Sequence, residues 1–311
     1  MTKRRFGALF APCALAVLTV TSTVTVPAHA TPTARPAIML PADATPGSCG
    51  GTASGSTDFR AVHFNVLGST FGSNWSTRRS VIVKRLKHVL NNADSDYASI
   101  YGLTEVTSGE ATWIAQQLGS TYKVAVHNRL QAIIYNTNSW SVQDTDKYTF
   151  TDGSTAYHGF VHARLKNTDG GAQVNVIETH LVPNTVSNAA SKRASQLKQI
   201  ESTVGSWKNP VLILGDMNWK LSDGFETAAG SGYCSIRKWA GSYYPSSANG
   251  YRTDGGSEVP SSNKYGSGEP IIDYGLVHNG ITMRIYRVLR GTYDNAKAGS
   301  DHHMLTLQLT I

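Results

Sequence analysis

The stretch Pro-Val-Leu-Ile-Leu-Gly-Asp-Met-Asn at residues 210–218 carries the strongest signal for the fold. Its first five residues are a short apolar run, which is typical of a strand that is buried on both faces. We expect the strand to end at Gly215 and Asp216, because Gly, Asp and Asn favour turns. By themselves these residues fit an ordinary exit from a strand as well as they fit a functional carboxylate at a sheet edge.

The rest of the chain predicts many strands and three helices. Apolar residues at helical spacing indicate helices at 78–90, 110–118 and 189–204. Bulky and β-branched runs indicate strands at 59–67, 97–103, 122–126, 132–135, 139–142, 160–165, 174–179, 210–214, 271–277, 283–288 and 304–309. Because many connections are short, the sequence predicts an α/β fold with two packed mixed or antiparallel sheets and helices outside them.

The first 57 residues have the composition of an export signal and a leader. Basic residues 3–5 precede a mostly apolar stretch that is too short to span a membrane, and Ala28-His29-Ala30 fits a cleavage site. We therefore expect residues 1–30 to be a signal peptide and the protein to be secreted, by general or twin-arginine export. An uncleaved anchor is the alternative. The Pro-, Ala- and Thr-rich composition of residues 31–57 predicts a flexible leader. Residues 58–311 would then form the one large domain, in which any catalytic site would lie.

Two cysteines lie beyond the predicted signal peptide, Cys49 and Cys234. In an exported protein a pair of cysteines favours one disulfide, and two free thiols are the alternative. The net formal charge is +7, and it falls to +4 when the three basic residues of the signal peptide are removed. This mild basicity permits a polyanionic partner without requiring one.

Polar side chains recur where the predicted strands end. Most of them are oxygen donors, which suit Mg²⁺, Mn²⁺ or Ca²⁺, and two are histidines, which suit proton transfer. They are Asn65, Glu105, His180, Asp216, Asn218, Asp273, Asp301 and His302. Each has an ordinary structural explanation when taken alone: Glu105 fits a surface carboxylate, and Ser300-Asp301-His302 fits a turn or helix cap.

Taken in order, six stretches resemble the endonuclease/exonuclease/phosphatase superfamily, which includes deoxyribonuclease I, the apurinic endonucleases and bacterial sphingomyelinases. The stretches are residues 63–67, 102–106, 179–184, 214–218, 272–274 and 300–303. The resemblance covers residues 58–311, and its Gly-Asp-x-Asn and Ser-Asp-His elements are the most specific. It implies a four-layered α/β sandwich of the deoxyribonuclease I type, in agreement with the predicted strands.

The resemblance also implies roles for individual residues. Metal binding would fall to Asn65, Glu105 and Asp301, catalysis to His180, Asp216, Asn218, Asp273 and His302, and a phosphate contact to Asn184. The family commonly has Gln where this chain has Thr104, which removes an amide but no ligand. We assign catalysis to His302 rather than His303, since neighbours in a strand point to opposite faces. His63 and His127 have no motif support and are interpreted as ordinary residues.

The predicted function is a divalent-metal-dependent phosphodiesterase, with nucleic acid as the expected substrate and a monomer as the expected state. Residues 241–270 predict a long loop whose tyrosines and basic residues suit nucleic-acid contacts, and helix 189–204 offers Lys192, Arg193 and Lys198 for a phosphate groove. Both segments also fit ordinary solvated surface. The alternatives are a phospholipase C or sphingomyelinase acting on phospholipid, a phosphomonoesterase, and a catalytically idle binding protein.

Overall fold

The computed structural model describes residues 57–91, 98–152, 158–219, 234–235, 251–253, 272–278, 280–289 and 299–311. The predicted signal peptide, the leader up to residue 56 and Cys49 lie outside the described residues, so the export signal and the disulfide stay predictions. None of the helices in the described part of the chain combines the length and apolarity that a membrane crossing requires.

Three helices and thirteen strands make up the described structure. The helices are α1 Trp75–Asn91, α2 Ser108–Leu118 and α3 Ala189–Val204. The strands are β1 Asp58–Asn65, β2 Ala98–Thr104, β3 Tyr122–Asn128, β4 Gln131–Asn136, β5 Trp140–Thr149, β6 Gly159–Asn167, β7 Gln173–His180, β8 Val211–Asp216, β9 Cys234–Ser235, β10 Tyr251–Thr253, β11 Asp273–His278, β12 Thr282–Leu289 and β13 Met304–Thr310.

The strands form two mixed sheets. The first has the order β10-β12-β13-β1-β2-β4-β3, and the second has the order β5-β6-β7-β8-β11-β9. Within the first sheet β1 is parallel to β2 and antiparallel to β13. Within the second sheet β7 is parallel to β8, which is antiparallel to β11. The mixed sheets confirm the predicted fold class.

Alternation along the strands explains the four layers. On β1, Phe59 and Ala61 pack between the two sheets, whereas Val62 and Phe64 pack outward against α1 and α2. On β8, Leu212 and Leu214 point between the sheets, and Val211 and Ile213 pack outward against α3. The order of layers is therefore helices, sheet, sheet, helix.

Two elements differ from the sequence prediction. Residues 251–253 form the short strand β10 inside the segment that was expected to be a loop, because parallel pairing with β12 supplies order that the local composition does not indicate. Strand β5 continues to Thr149 instead of ending at residue 142, and it lies at the edge of the second sheet. Its polar, solvent-facing residues are typical of an edge strand.

Candidate active site

Strand register brings the predicted site residues together. Asn65 at the end of β1 is paired with Thr104 at the end of β2, so Asn65 and Glu105 lie at the same edge of the first sheet. In the second sheet Asp216 is paired with both His180 and Asp273. The inner faces of the two sheets meet at this edge, and the side chains of the site project between them.

Backbone strain is concentrated at the same edge. Glu105 has φ of 55° and Asn218 has φ of 48°, both in the left-handed region that L-residues rarely occupy. The amide of Gly68 donates a 2.8 Å hydrogen bond to the backbone oxygen of Glu105, and a Cβ atom at Gly68 would overlap that oxygen. Strained residues of this kind often occur at functional sites, where the surrounding structure holds them in place.

The amide of Asn65 connects the carboxylates of the two sheets. Its Nδ2 donates to Oε1 of Glu105 at 3.0 Å and to Oδ2 of Asp216 at 3.1 Å. Its Oδ1 accepts a hydrogen bond from the amide of Leu67 at 3.1 Å. Asn65 thus holds the two carboxylates a fixed distance apart, while its predicted role as a metal ligand stays a prediction.

Two imidazoles flank Asp216. Oδ2 of Asp216 lies 3.5 Å from Nε2 of His180 and 3.5 Å from Nε2 of His302. Oδ1 of Asp216 accepts from the amide of Asn218 at 2.9 Å, and Nδ2 of Asn218 donates to the oxygen of Leu181 at 2.9 Å. Asp216 is therefore a buried carboxylate with two imidazole nitrogens facing one of its oxygens.

His302 is held by Asp273. Its Nδ1 donates a 2.7 Å hydrogen bond to Oδ2 of Asp273, which leaves Nε2 directed at Asp216. Burial alone would lower the pKa of His302, but the charges of Asp273 and Asp216 outweigh it and hold the pKa well above the ordinary value. Burial likewise opposes ionisation of Asp273, and His302 and His63 reverse that effect, so the pKa of Asp273 is well below its usual range.

The folded chain is similar to several solved structures. An endonuclease/exonuclease/phosphatase family protein from Bacteroides thetaiotaomicron aligns with a TM-score of 0.64 and 17% identity, over 82% of this chain and 98% of that one. The mannosyl-6-phosphatase of the same species aligns with a TM-score of 0.64 and 16% identity, over 81% and 100%. D. rerio TDP2 complexed with a single strand DNA product aligns with a TM-score of 0.63 and 11% identity, over 82% and 100%.

The chain has the endonuclease/exonuclease/phosphatase fold. No protein-family model matches the sequence, and a comparison with curated proteins returns no significant match. The likeness is thus one of three-dimensional structure, at identities below one residue in five.

Two buried carboxylate oxygens in this endonuclease/exonuclease/phosphatase fold are available as ligands for a divalent cation. Oε2 of Glu105 and Oδ1 of Asp301 are buried without a hydrogen-bond partner among the described residues. Burial raises the pKa of Glu105, against the opposing effect of His180 and Asn65. Unsatisfied buried carboxylate oxygens are costly, and a hard cation is the partner that such oxygens prefer.

A compact group of two carboxylates and one imidazole is a second candidate site for a divalent cation. Ligand atoms of Asp216, Asp273 and His302 lie within 4.8 Å of one another. Both oxygens of Asp273 already accept hydrogen bonds, from His63 and His302. A cation there would have to displace the 2.7 Å hydrogen bond, whereas Glu105 and Asp301 offer oxygens that are available.

Arg78 and Ser300 join the loops that carry these residues. Arg78 donates to the backbone oxygens of Val66, Leu67 and Gly299, so it connects the loop after β1 to the loop before β13. The hydroxyl of Ser300 donates to the backbone oxygen of Asn65 and accepts from the amide of His302.

The sequence analysis missed three buried residues of the site, which are His63, His158 and Glu178. His63 was interpreted as an ordinary residue, but it bridges Glu178 and Asp273. His158 donates through Nδ1 to the backbone oxygen of His180 at 3.1 Å, and burial together with His180 lowers its pKa to about 4. The sequence contains a signal for two of them. His63 lies two residues before Asn65 and therefore on the same face of its strand, and Glu178 has the same relation to His180.

Two sequence predictions receive no support from the contacts. Arg193 was expected on a basic surface, but it is 4% exposed, donates to the backbone oxygen of Val182 and stacks on Trp219. That prediction is wrong, because the guanidinium satisfies a buried carbonyl instead of facing solvent. Asn184 lies exposed in the turn after β7, and none of the recorded contacts joins it to the cluster. Its role as a phosphate contact stays a prediction.

Proposed function

We propose that the protein is a secreted, divalent-metal-dependent phosphodiesterase that hydrolyses nucleic acid. The observation that carries the proposal is the buried group in which Asp216 lies between His180 and His302, together with the unpartnered buried oxygens of Glu105 and Asp301. Carboxylates for water and metal, together with imidazoles for charge and protons, are what hydrolysis of an anionic phosphodiester requires.

The residues of the chain supply the acid–base steps. Asp216 accepts a proton from the attacking water, whose oxygen forms the new bond to phosphorus. The protonated imidazole of His302, held by Asp273, donates one hydrogen bond from Nε2 to a phosphate oxygen as negative charge grows on it. His180 gives a proton to the leaving oxygen when its bond to phosphorus breaks. Glu105 and Asp301 would hold the cation, which when bound neutralises charge on the phosphate oxygens.

Nucleic acid is favoured over phospholipid by the exposed surface. Among the described residues Phe71 is the one large apolar side chain that is exposed, at 46%. A protein that works on a bilayer is expected to expose a cluster of Trp, Phe or Leu. The formal charge, +7 for the whole chain and +4 without residues 1–30, is compatible with a polyanionic substrate. D. rerio TDP2, which has the same fold, is complexed with a single strand DNA product.

A phosphomonoesterase is the second candidate, because a mannosyl-6-phosphatase has the same fold at a similar TM-score. A monoester ends in a dianionic phosphate, so its enzyme needs a closed pocket with additional donors for the terminal oxygens. Arg78, the guanidinium that contacts the loops of the site, is used by backbone oxygens. This arrangement favours the diester.

A substrate panel tests the proposal. The purified protein is incubated with plasmid DNA, RNA, sphingomyelin liposomes and a sugar 6-phosphate, in Mg²⁺ or in EDTA. We expect nucleic-acid cleavage that EDTA abolishes and that Asp216→Ala and His302→Ala reduce by at least about 100-fold. His162→Ala is the matched control, since His162 is a buried histidine that contacts Trp207 instead of the site. Cleavage of liposomes or of the monoester alone would reject the nuclease proposal.

A further inference from the structure

His63 and Glu178 extend the His302–Asp273 pair into the interior of the sandwich. Oε1 of Glu178 accepts from Nδ1 of His63 at 2.8 Å, and Nε2 of His63 donates to Oδ1 of Asp273 at 2.9 Å. Oδ2 of Asp273 then accepts from His302 at 2.7 Å. The row passes from β7 to β1 to β11 and ends at the site.

Burying His63 and Glu178 costs the fold free energy. His63, Glu178 and Asp273 are fully buried, and Oε2 of Glu178 has no hydrogen-bond partner among the described residues. Buried charges of this kind often add nothing to stability compared with well-packed apolar residues. Gly102 on β2 faces Glu178, and a Cβ atom there would overlap Oε2, so a glycine in the middle of a strand makes room for the carboxylate.

The hydrogen bonds of His63 and Glu178 fix the orientation of the Asp273 carboxylate. A carboxylate turns easily about its terminal torsion, so one hydrogen bond to His302 leaves the plane of Asp273 poorly defined. The second hydrogen bond, from His63 to the other oxygen, fixes that plane. Glu178 in turn fixes the ring of His63 by accepting from its remaining nitrogen. We propose that His63, held by Glu178, is a positioning residue that orients Asp273 toward His302.

The electrostatics agree with this arrangement. Each ring nitrogen of His63 faces a carboxylate oxygen, Nδ1 at 2.8 Å from Glu178 and Nε2 at 2.9 Å from Asp273, so both nitrogens donate. Burial raises the pKa of Glu178, and His63 opposes that rise. Carboxylates and imidazoles alternate along the row of Glu178, His63, Asp273 and His302, so each buried group faces a partner of the opposite kind.

The proposal rests on the proposed phosphodiesterase function, and a double-mutant cycle tests it. His63→Leu removes both donors, and His63→Gln keeps a donor near the position of Nε2. We expect His63→Leu to lower kcat on the cleaved substrate about 10- to 100-fold while KM changes less than about threefold. His63→Gln should recover most of that loss.

In an Asp273→Ala background, His63→Leu should lower kcat by less than about twofold further, because its effect passes through Asp273. Losses that multiply in the double variant, or a kcat of His63→Leu within about twofold of the wild type, would overturn the proposal. If His63→Leu does not fold, Glu178→Gln tests the same row, and we expect a kcat loss of about threefold to tenfold with unchanged KM. A Glu178→Gln variant with unchanged kcat counts against the proposal.

An NMR experiment tests the positioning role of His63 independently of the proposed phosphodiesterase activity. With ¹⁵N-labelled histidine, the hydrogen-bonded Nδ1 proton of His302 should appear as an exchange-protected downfield resonance, identified by its loss in His302→Ala. We expect His63→Leu, or Glu178→Gln if that variant is the one that folds, to shift or broaden it. An unchanged resonance overturns the positioning role even if the protein cleaves no substrate, whereas a shifted resonance without turnover counts against the phosphodiesterase proposal alone.

Discussion

Nδ1 of His302 donates a 2.7 Å hydrogen bond to Oδ2 of Asp273, which is fully buried between the sheets. The contact joins two residues that are 29 positions apart in the chain. It fixes which nitrogen of His302 faces the site, and it keeps the imidazole protonated. Both properties depend on the charge of the carboxylate.

Replacement of this carboxylate by an amide should disable catalysis without unfolding the protein. In Asp273→Asn the amide can present a donor to His302, so the ring loses its preferred orientation and its positive charge. We expect kcat/KM to fall about 100- to 10,000-fold, with the far-ultraviolet circular dichroism unchanged. Asp144→Asn is the matched control, because Asp144 is an exposed aspartate on β5. A variant within tenfold of the wild type would show that His302 does not need its partner.

The metal prediction concerns Glu105 and Asp301. If their unpartnered oxygens bind Mg²⁺, the ion at 100 times Kd should raise the free energy of unfolding of the wild type by about 2.7 kcal/mol. The unfolding temperature should rise with it. Glu105→Gln and Asp301→Asn should each remove most of that increase, and Asp169→Asn, in an exposed turn, should leave it intact. Differential scanning calorimetry with and without EDTA measures the effect independently of turnover. If the increase in stability persists in both variants, the ion binds at other residues.

Stability should fall in alkali because of His63. Its pKa is about 10 in the folded chain and about 6.5 in an unfolded one, so the folded state binds the proton more tightly. That contribution is complete below about pH 6.5 and is lost as pH rises toward 10, with a limiting slope of about 1.4 kcal/mol per pH unit. At the acid end the lowered pKa of Asp273 acts in the opposite sense, since its contribution is present above about pH 4 and is lost below it.

Urea unfolding at pH 6.5, 8 and 9.5 measures this dependence. The wild type should lose stability across the three values, and His63→Leu should lose less, because only His302, whose pKa is also raised, then contributes. His162→Ala is the control for removal of a buried histidine outside the row. Equal slopes in the wild type and in His63→Leu would mean that His63 is neutral in the folded protein.

The sequence predicts the site better than it predicts the surroundings of the site. The neighbouring positions of His180, Asp216 and Asp273 follow from motifs at the ends of strands, because strand ends in one sheet converge on one edge. The sequence does not predict roles for His63 and Glu178, because each is a single polar residue within an apolar strand and no sequence motif marks such a position. Only the packing of the two sheets against each other, which brings β1 close to β7, reveals that the two side chains meet.

Surface assignments failed for a different reason. Arg193 occupies a helix position where a basic residue is usually solvated, but its guanidinium reaches a carbonyl after β7 and the ring of Trp219. Long side chains can bury their stems and satisfy distant acceptors, and helical periodicity does not report that choice. The strand at residues 251–253 was missed because its order comes from β12, far along the chain.

If the protein is exported as proposed, we expect one disulfide, between Cys49 and Cys234. Such a bridge closes a loop of well over 100 residues, and it should stabilise the fold by about 4 kcal/mol through restriction of the unfolded chain. Mass spectrometry of the secreted protein, alkylated without reductant, should show no modified cysteine and a mature chain that begins after residue 30. Two alkylated thiols would refute the bridge, and an intact N-terminus would refute export through cleavage.

Gly102 offers the sharpest test of the packing around Glu178. Gly102→Ala places a methyl group against the buried carboxylate, with Leu214 on the other side, and should destabilise the fold by about 3 kcal/mol. Gly109→Ala is the matched control, because no atom lies within 4 Å of its Cβ position in α2, and it should raise stability by about 1 kcal/mol. In Gly102→Ala/Glu178→Ala the overlap is gone, so the double variant should be more stable than the sum of the single changes predicts. Urea unfolding of the four proteins measures this coupling, and strictly additive losses would mean that Gly102 is required for a reason other than room for Glu178.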